Sequence, residues 1–85
     1  MKTFEYTIKD ELGIHARPAG VLVKTAKSLD SEITITAREK SVSAVKLMAV
    51  MSMGIKGGDT VRVTIDGGDE ERSERVMKEF FEKNL

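Results

Sequence analysis

The chain has 85 residues and no cysteine, and its 14 basic and 14 acidic side chains cancel to a net charge of zero. This length allows one domain, over residues 1–85, while the lack of cysteine excludes disulfides and thiolate metal sites and fits a cytoplasmic location. The zero net charge argues against nucleic-acid binding, and a single histidine leaves no metal ligand set. No apolar run approaches the length of a membrane span.

The first two predicted elements are a strand over residues 2–9 and a helix over residues 16–28. Apolar and polar side chains alternate along the strand, as expected where one face is buried. Pro18 has a fixed φ and no N–H group, which suits the first turn of a helix and places its start at about Ala16. Apolar residues recur at helical spacing after this point, so the helix can cover a sheet.

A hairpin is predicted next, from two segments at residues 32–37 and 41–43 that alternate polar and β-branched side chains. Its turn contains neither Asn-Gly nor Asp-Gly, so the turn itself does not fix the register. A second helix is predicted to start near Ser43 or Ala44, with Ser43 as its cap. It should stop before Gly54, which suits a left-handed C-terminal cap.

The last two predicted elements are a strand and a helix. Val61, Val63 and Ile65 define the buried face of the strand, and Asp69 is the expected N-cap of the helix. The resulting order is β-α-β-β-α-β-α. In so short a chain it predicts an α+β fold in which the helices collect on one face of a mainly antiparallel sheet.

The strongest functional signal is the segment Gly13-Ile14-His15-Ala16-Arg17-Pro18-Ala19, which contains the only histidine of the chain. The first N–H groups of a helix lack intrahelical partners and carry partial positive charge, so they stabilise an anion placed beside them. A neutral imidazole nitrogen is a nucleophile, and the guanidinium of Arg17 matches the oxygens of a phosphate. These features favour a histidine that accepts and passes on a phosphoryl group. A capping or solvent-exposed structural histidine is the alternative.

This segment, together with Val50-Met51-Ser52-Met53-Gly54, resembles the HPr family, the phosphocarriers of the bacterial phosphoenolpyruvate-dependent sugar phosphotransferase system. The resemblance covers the whole chain. It implies an open-faced β-sandwich, with a four-stranded sheet and three helices on one face. It also implies that enzyme I phosphorylates His15 on Nδ1, that sugar-specific IIA domains remove the phosphoryl group, and that Arg17 assists.

The second predicted helix is apolar nearly all round, since only Lys46 and Ser52 are polar between residues 44 and 53. A small domain covers only one side of such a helix. Some of its four large apolar side chains should therefore face solvent; the candidates are Leu47, Met48, Met51 and Met53. Flexible methionines suit a surface that binds several partners, although periodicity alone equally fits a buried core helix. The resemblance favours docking, through Leu47, Met48 and Met51.

Basic residues are expected to surround His15 and to form a rim around the docking helix. Arg17, Lys24 and Lys27 fall on one helix face with Gly20, while Lys46 and Lys56 flank the second helix. Such charges speed association with acidic partners more than they tighten it. The predicted partner-binding residues are Gly20, Lys24, Lys27, Lys46, Leu47, Met48 and Met51.

Position 46 is where the sequence departs most from the family pattern. Regulated members of the HPr family carry a serine there that a kinase phosphorylates, whereas this chain has Lys46, which has no hydroxyl group. Regulation through a serine at this position is therefore not expected. Gly20 is a smaller departure, because it replaces a larger residue inside a helix.

The sequence is compatible with two functions from different classes. The first is a monomeric histidine phosphocarrier, a substrate of enzyme I and of IIA domains rather than an enzyme, with no cofactor, no metal ion and no membrane insertion. The second is a regulatory or binding module of the same fold that is not used as a carrier. The presence of both His15 and Arg17 favours the first.

Overall fold

The computed structural model describes all residues, 1–85, and has the predicted order of elements. They are β1 (Lys2–Thr7), α1 (Ala16–Lys27), β2 (Glu32–Ala37), β3 (Lys40–Ser43), α2 (Leu47–Ser52), β4 (Thr60–Asp66) and α3 (Glu70–Asn84). The strands form one sheet in the order β1-β4-β2-β3, and every neighbouring pair is antiparallel. The predicted fold class is therefore confirmed.

The sheet has one apolar face and one polar face because apolar and polar residues alternate along its strands. In the central pair, Ile33 lies opposite Ile65 and Ile35 lies opposite Val63, and all four are buried. Threonines and charged residues such as Arg62 fall on the other face. The helices cover only the apolar face, so the sandwich is open on its polar side.

Aromatic packing fixes α3 on β1. The ring of Phe81 is fully buried, and its centroid lies 6.1 Å from that of Phe4, 5.5 Å from that of Tyr6 and 5.3 Å from that of Phe80. Burial of such rings is the largest apolar contribution a small core can obtain from single residues. It anchors the end of the chain beside the loop that follows β1.

The predicted start of α2 is wrong by about three residues. Ser43 is not its cap but the last residue of β3, opposite Thr34, and the N–H group of Ala44 still donates to the carbonyl oxygen of Ile33 at 2.9 Å. Pairing with β2 thus holds this segment extended, and the helix begins only after Lys46, which occupies the N-cap position. Serine's preference for helix caps is overridden by sheet pairing.

The β2–β3 turn adopts a left-handed backbone without the usual residues. Arg38 has φ 49° and Glu39 has φ 68°, although neither is Gly, Asn or Asp. The guanidinium of Arg38 donates to Asp59 Oδ2 at 2.7 Å and to the carbonyl oxygen of Met53 at 2.9 Å. These bonds offset the strain of the turn and connect it to the end of α2.

Candidate functional site

The backbone before α1 is fixed by close contact with the segment that follows α2. Gly13 has φ 66°, and a Cβ atom there would overlap the carbonyl oxygen of Ile55 and lie 2.5 Å from the Cα atom of Lys56. The same carbonyl oxygen accepts the N–H group of Ile14 at 3.0 Å. Only glycine fits this approach, and it directs the next residues into the helix.

His15 occupies the N-cap position of α1, as the position of Pro18 predicts, but its side chain makes no capping hydrogen bond. The N–H group of Ala19 donates to the carbonyl oxygen of His15, and Pro18 has no N–H group. The N–H groups of Ala16 and Arg17 are therefore the free donors at this helix start, and they make no hydrogen bond in the structure. They are available to an anion at His15.

A shallow depression of about 310 Å³ surrounds the imidazole. Its lining consists of Asp10, His15, Arg17, Pro18, Val21 and Asn84. The His15 side chain is 38% exposed, and the Arg17 side chain is exposed and takes part in no ion pair or hydrogen bond. The structure thus places the predicted nucleophile beside an unpaired guanidinium, in a site that another protein can reach.

Asp10 is a residue of this site that the sequence reading missed. Its Oδ2 atom lies 4.0 Å from Nε2 of His15. Its Oδ1 atom accepts the N–H group of Leu12 at 2.9 Å, which is the geometry of an Asx turn. The Asp10-Glu11-Leu12-Gly13 sequence signals such a turn, but only the folded chain shows which side chain it faces.

The basic residues of α1 extend along the helix rather than around His15. Gly20, Lys24 and Lys27 are all exposed on the face that Arg17 begins. A rise of 1.5 Å per residue puts Lys24 about 10 Å and Lys27 about 15 Å along the axis from Arg17. They form a strip that leads away from the imidazole, and a Cβ atom at Gly20 would point into open space.

The side of α2 that faces solvent carries three large apolar side chains. Met48 is 76% exposed, Leu47 40% and Met51 38%, whereas Val50 and Met53 are buried. The alternative of a wholly buried helix is therefore wrong. The expectation that some of the four large apolar side chains face solvent is confirmed, by Leu47, Met48 and Met51. We define the three exposed apolar residues of α2, Leu47, Met48 and Met51, as the apolar patch. The helix itself packs against α1.

The two lysines that flank α2 are exposed and form no ion pair. Lys46 lies at the N-cap without a side-chain capping bond, and Lys56 uses its backbone N–H group to donate to Asp59 at 2.9 Å.

No group of three or more His, Cys, Asp and Glu side chains is arranged to hold a metal ion. No helix has the length and apolar character needed to cross a membrane.

Comparison with known proteins points to one family. A family model described as the PTS HPr component phosphorylation site matches residues 2–83. The phosphocarrier protein HPr of Mycoplasma genitalium is 39% identical over 85 residues, which cover 99% of this chain and 97% of that protein. The HPr of Mycoplasma capricolum is 40% identical over 79 residues, which cover 93% and 89%. The crystal structure of HPr-C-His from Thermoanaerobacter tengcongensis superposes with a TM-score of 0.92 at 35% identity, covering 98% of this chain and 93% of that one.

Proposed function

The chain belongs to the HPr family of the phosphotransferase system, and from this premise we propose that it accepts a phosphoryl group from phosphorylated enzyme I on Nδ1 of His15 and delivers it to IIA domains of sugar permeases. In this role it is a cytoplasmic, monomeric carrier that each partner uses as a substrate. The single observation that carries the proposal is the position of the imidazole. The only histidine lies at a helix start with two free N–H groups and an unpaired arginine.

The charge of a phosphoryl group explains how these groups would act. When Nδ1 attacks phosphorus, negative charge on the phosphoryl oxygens comes close to the start of α1. The free N–H groups of Ala16 and Arg17 and the Arg17 guanidinium then become its donors, so that the transferred group gains hydrogen bonds that were unused before. Pre-placed donors of this kind stabilise the transition state as well as the product.

Docking is assigned to the apolar patch, since exposed large apolar side chains that adjoin a reactive group are typical of a protein-binding surface. Its methionines can repack against partners of different shape, as a carrier with a donor and an acceptor requires. Lys24, Lys27 and Lys46 are exposed and would steer acidic partners. Donor and acceptor would occupy the same surface in turn.

The first experiment tests the carrier itself. Purified protein is incubated with enzyme I and phosphoenolpyruvate, and its intact mass is recorded at mildly alkaline pH beside that of the His15→Ala variant. We expect one acid-labile phosphoryl group on the unmodified protein and none on the variant. Absence of the group, with an active control for enzyme I, would support the binding-module alternative, and phosphorylation of the variant would overturn the assignment to His15.

The second experiment tests docking. Met48→Glu places a charge on the most exposed residue of the apolar patch, and we expect the KM for the carrier in the enzyme I reaction to rise by roughly tenfold. Thr3→Glu, an exposed position on the polar face of the sheet, is the matched control and should leave KM unchanged. An equal effect of the two variants would remove α2 from the interface.

A further inference from the structure

The carboxylate of Asp10 faces the ring nitrogen of His15 that is not used for phosphoryl transfer, and we propose that it positions the imidazole by holding a proton on Nε2. The inference rests on the proposed function, because it concerns the same histidine. Its geometrical basis is the 4.0 Å separation between Asp10 Oδ2 and His15 Nε2. This separation is about 1 Å longer than a hydrogen bond, so the proposal requires the imidazole to turn toward Asp10.

Asp10 is held in place independently of His15. Its N–H group donates to the backbone oxygen of Leu85 at 2.9 Å, and its own carbonyl oxygen accepts the N–H group of Gly13 at 2.9 Å. Its Oδ1 atom accepts the N–H group of Leu12, also at 2.9 Å. Gly57 packs closely against this loop, since a Cβ atom at position 57 would lie 2.8 Å from the Asp10 carbonyl oxygen. The loop and one carboxylate oxygen are thus anchored.

The second carboxylate oxygen has no other partner. Oδ2 makes no hydrogen bond, and the one basic group within 4.0 Å of it is the imidazole of His15. The other charged side chain that lines the depression is Arg17, which forms no ion pair. An anchored carboxylate with one free oxygen directed at Nε2 is an arrangement that selects between the two nitrogens of the ring.

The tautomer decides which nitrogen can attack. A neutral imidazole carries one N–H group, and the partner of that group determines which nitrogen keeps its lone pair. With the proton on Nε2, the lone pair lies on Nδ1. Asp10 would therefore prepare Nδ1 as the nucleophile without touching the phosphoryl group, which makes it a positioning residue.

No proton has to move during the transfer. The lone pair of Nδ1 forms the bond to phosphorus, while the bond from phosphorus to the donor breaks and its electron pair stays on the donor. The ring keeps its proton on Nε2 and becomes positively charged, and the Asp10 carboxylate faces that charge. Delivery to the acceptor reverses these changes and restores the neutral ring.

The test uses nitrogen-15 NMR of the His15 ring in the unphosphorylated protein at mildly alkaline pH. Asp10→Asn keeps an oxygen for the Asx turn but loses the charge, and Glu11→Gln removes the neighbouring exposed carboxylate as the matched control. We expect the ratio of the Nε2–H to the Nδ1–H tautomer to fall roughly two- to fivefold in Asp10→Asn, as befits an exposed contact. Glu11→Gln should leave it unchanged. An unchanged ratio in Asp10→Asn overturns the inference.

Steady-state phosphorylation by enzyme I supplies the second readout. Asp10→Asn should lower kcat about twofold or more with KM unchanged, the reverse of the effect expected for Met48→Glu. A normal kcat in a variant whose tautomer ratio has changed also overturns the inference. Failure of the proposed function is distinct, because the unmodified protein itself would then take up no phosphoryl group, whatever its tautomer ratio.

Discussion

The N-terminal ends of α1 and α3 both have backbone N–H groups without intrahelical partners, but the residues around those groups differ. At α3 the Asp69 side chain accepts the N–H group of Arg72 at 3.2 Å, and Glu70 and Glu71 place negative charge in the first turn. At α1 the N-cap is His15, no side chain caps the helix, and the first turn contains no acidic residue.

Under the proposed function, the difference separates a helix end that stabilises the fold from one that binds a phosphoryl group. At α3 a capping side chain binds one free N–H group, and acidic residues lie at the positive end of the helix dipole; both stabilise the fold. The start of α1 forgoes this stabilisation, and its N–H groups remain available to an anion from outside. The free N–H groups beside His15 thus result from the absence of a capping side chain and of acidic residues in the first turn of α1.

The largest expected effect comes from the glycine that shapes the start of α1. Gly13→Ala combines a left-handed backbone with overlap against the backbone of Ile55, so we expect the free energy of unfolding to fall by about 3 kcal/mol, measured by urea denaturation. Gly54→Ala is the matched control. It shares a positive φ of 62° but has open space at its Cβ position, and it should cost only about 1 kcal/mol. Similar losses in both variants would show that close packing does not hold Gly13.

Removing the N-cap side chain from each helix tests the comparison directly. Asp69→Ala deletes a capping bond and should lower the free energy of unfolding by about 1 kcal/mol. His15→Ala deletes no capping bond, so its urea transition should agree with that of the unmodified protein to within about 0.5 kcal/mol. A larger loss in His15→Ala than in Asp69→Ala would contradict the distinction between the two ends.

A capping side chain at position 15 should raise the stability of the protein and abolish phosphorylation. The side chain of Asn in His15→Asn can accept the free N–H group of Arg17, and we expect the free energy of unfolding to rise by roughly 0.5–1 kcal/mol. The same variant should accept no phosphoryl group. His15→Ala serves as the control without a capping oxygen, and equal stability of the two variants would show that the free N–H groups cost nothing.

The smallest effect concerns the loop that packs against Gly13. A hydrogen bond from the N–H group of Lys56, and a second from Arg38, hold the pKa of Asp59 below its ordinary value of 3.8. Because the folded state binds this proton more weakly than the unfolded state, the stabilisation is full at neutral pH. It is lost as the pH falls below 3.8 and through the lowered pKa. In Asp59→Asn the acid-side fall in stability should be shallower, while Asp66→Asn, which removes a carboxylate without an ion pair, should retain it.

The start of α1 could be predicted because its signals are local. Pro18 fixes a first-turn position, His15 precedes it by three residues, and the alternation in β2 and β4 identifies the face on which the helices lie. Each of these depends on the chemistry of neighbouring residues in the chain, and sheet packing reinforces them. The fold class follows from the order of such segments.

The parts that could not be predicted depend on distant residues. Ser43 has the chemistry of a helix cap, and only its pairing with Thr34 keeps it in a strand. Arg38 has no local reason to adopt a positive φ, and the bonds that favour it come from Asp59 and Met53, 21 and 15 residues further along. Asp10 likewise meets His15 only after the loop has folded. Such contacts form only in the folded chain, so local sequence patterns do not predict them.

In the proposed carrier role, the shallowness of the depression at His15 would limit how long a phosphoryl group survives there. A phosphoryl group held on an imidazole that is 38% exposed would face bulk water whenever no partner covers it. A phosphorylated molecule between partners would then be open to hydrolysis, because the depression does not enclose the phosphoryl group. Phosphoryl transfer by such a carrier would be efficient only where the phosphorylated protein meets its acceptor faster than the phosphohistidine is hydrolysed.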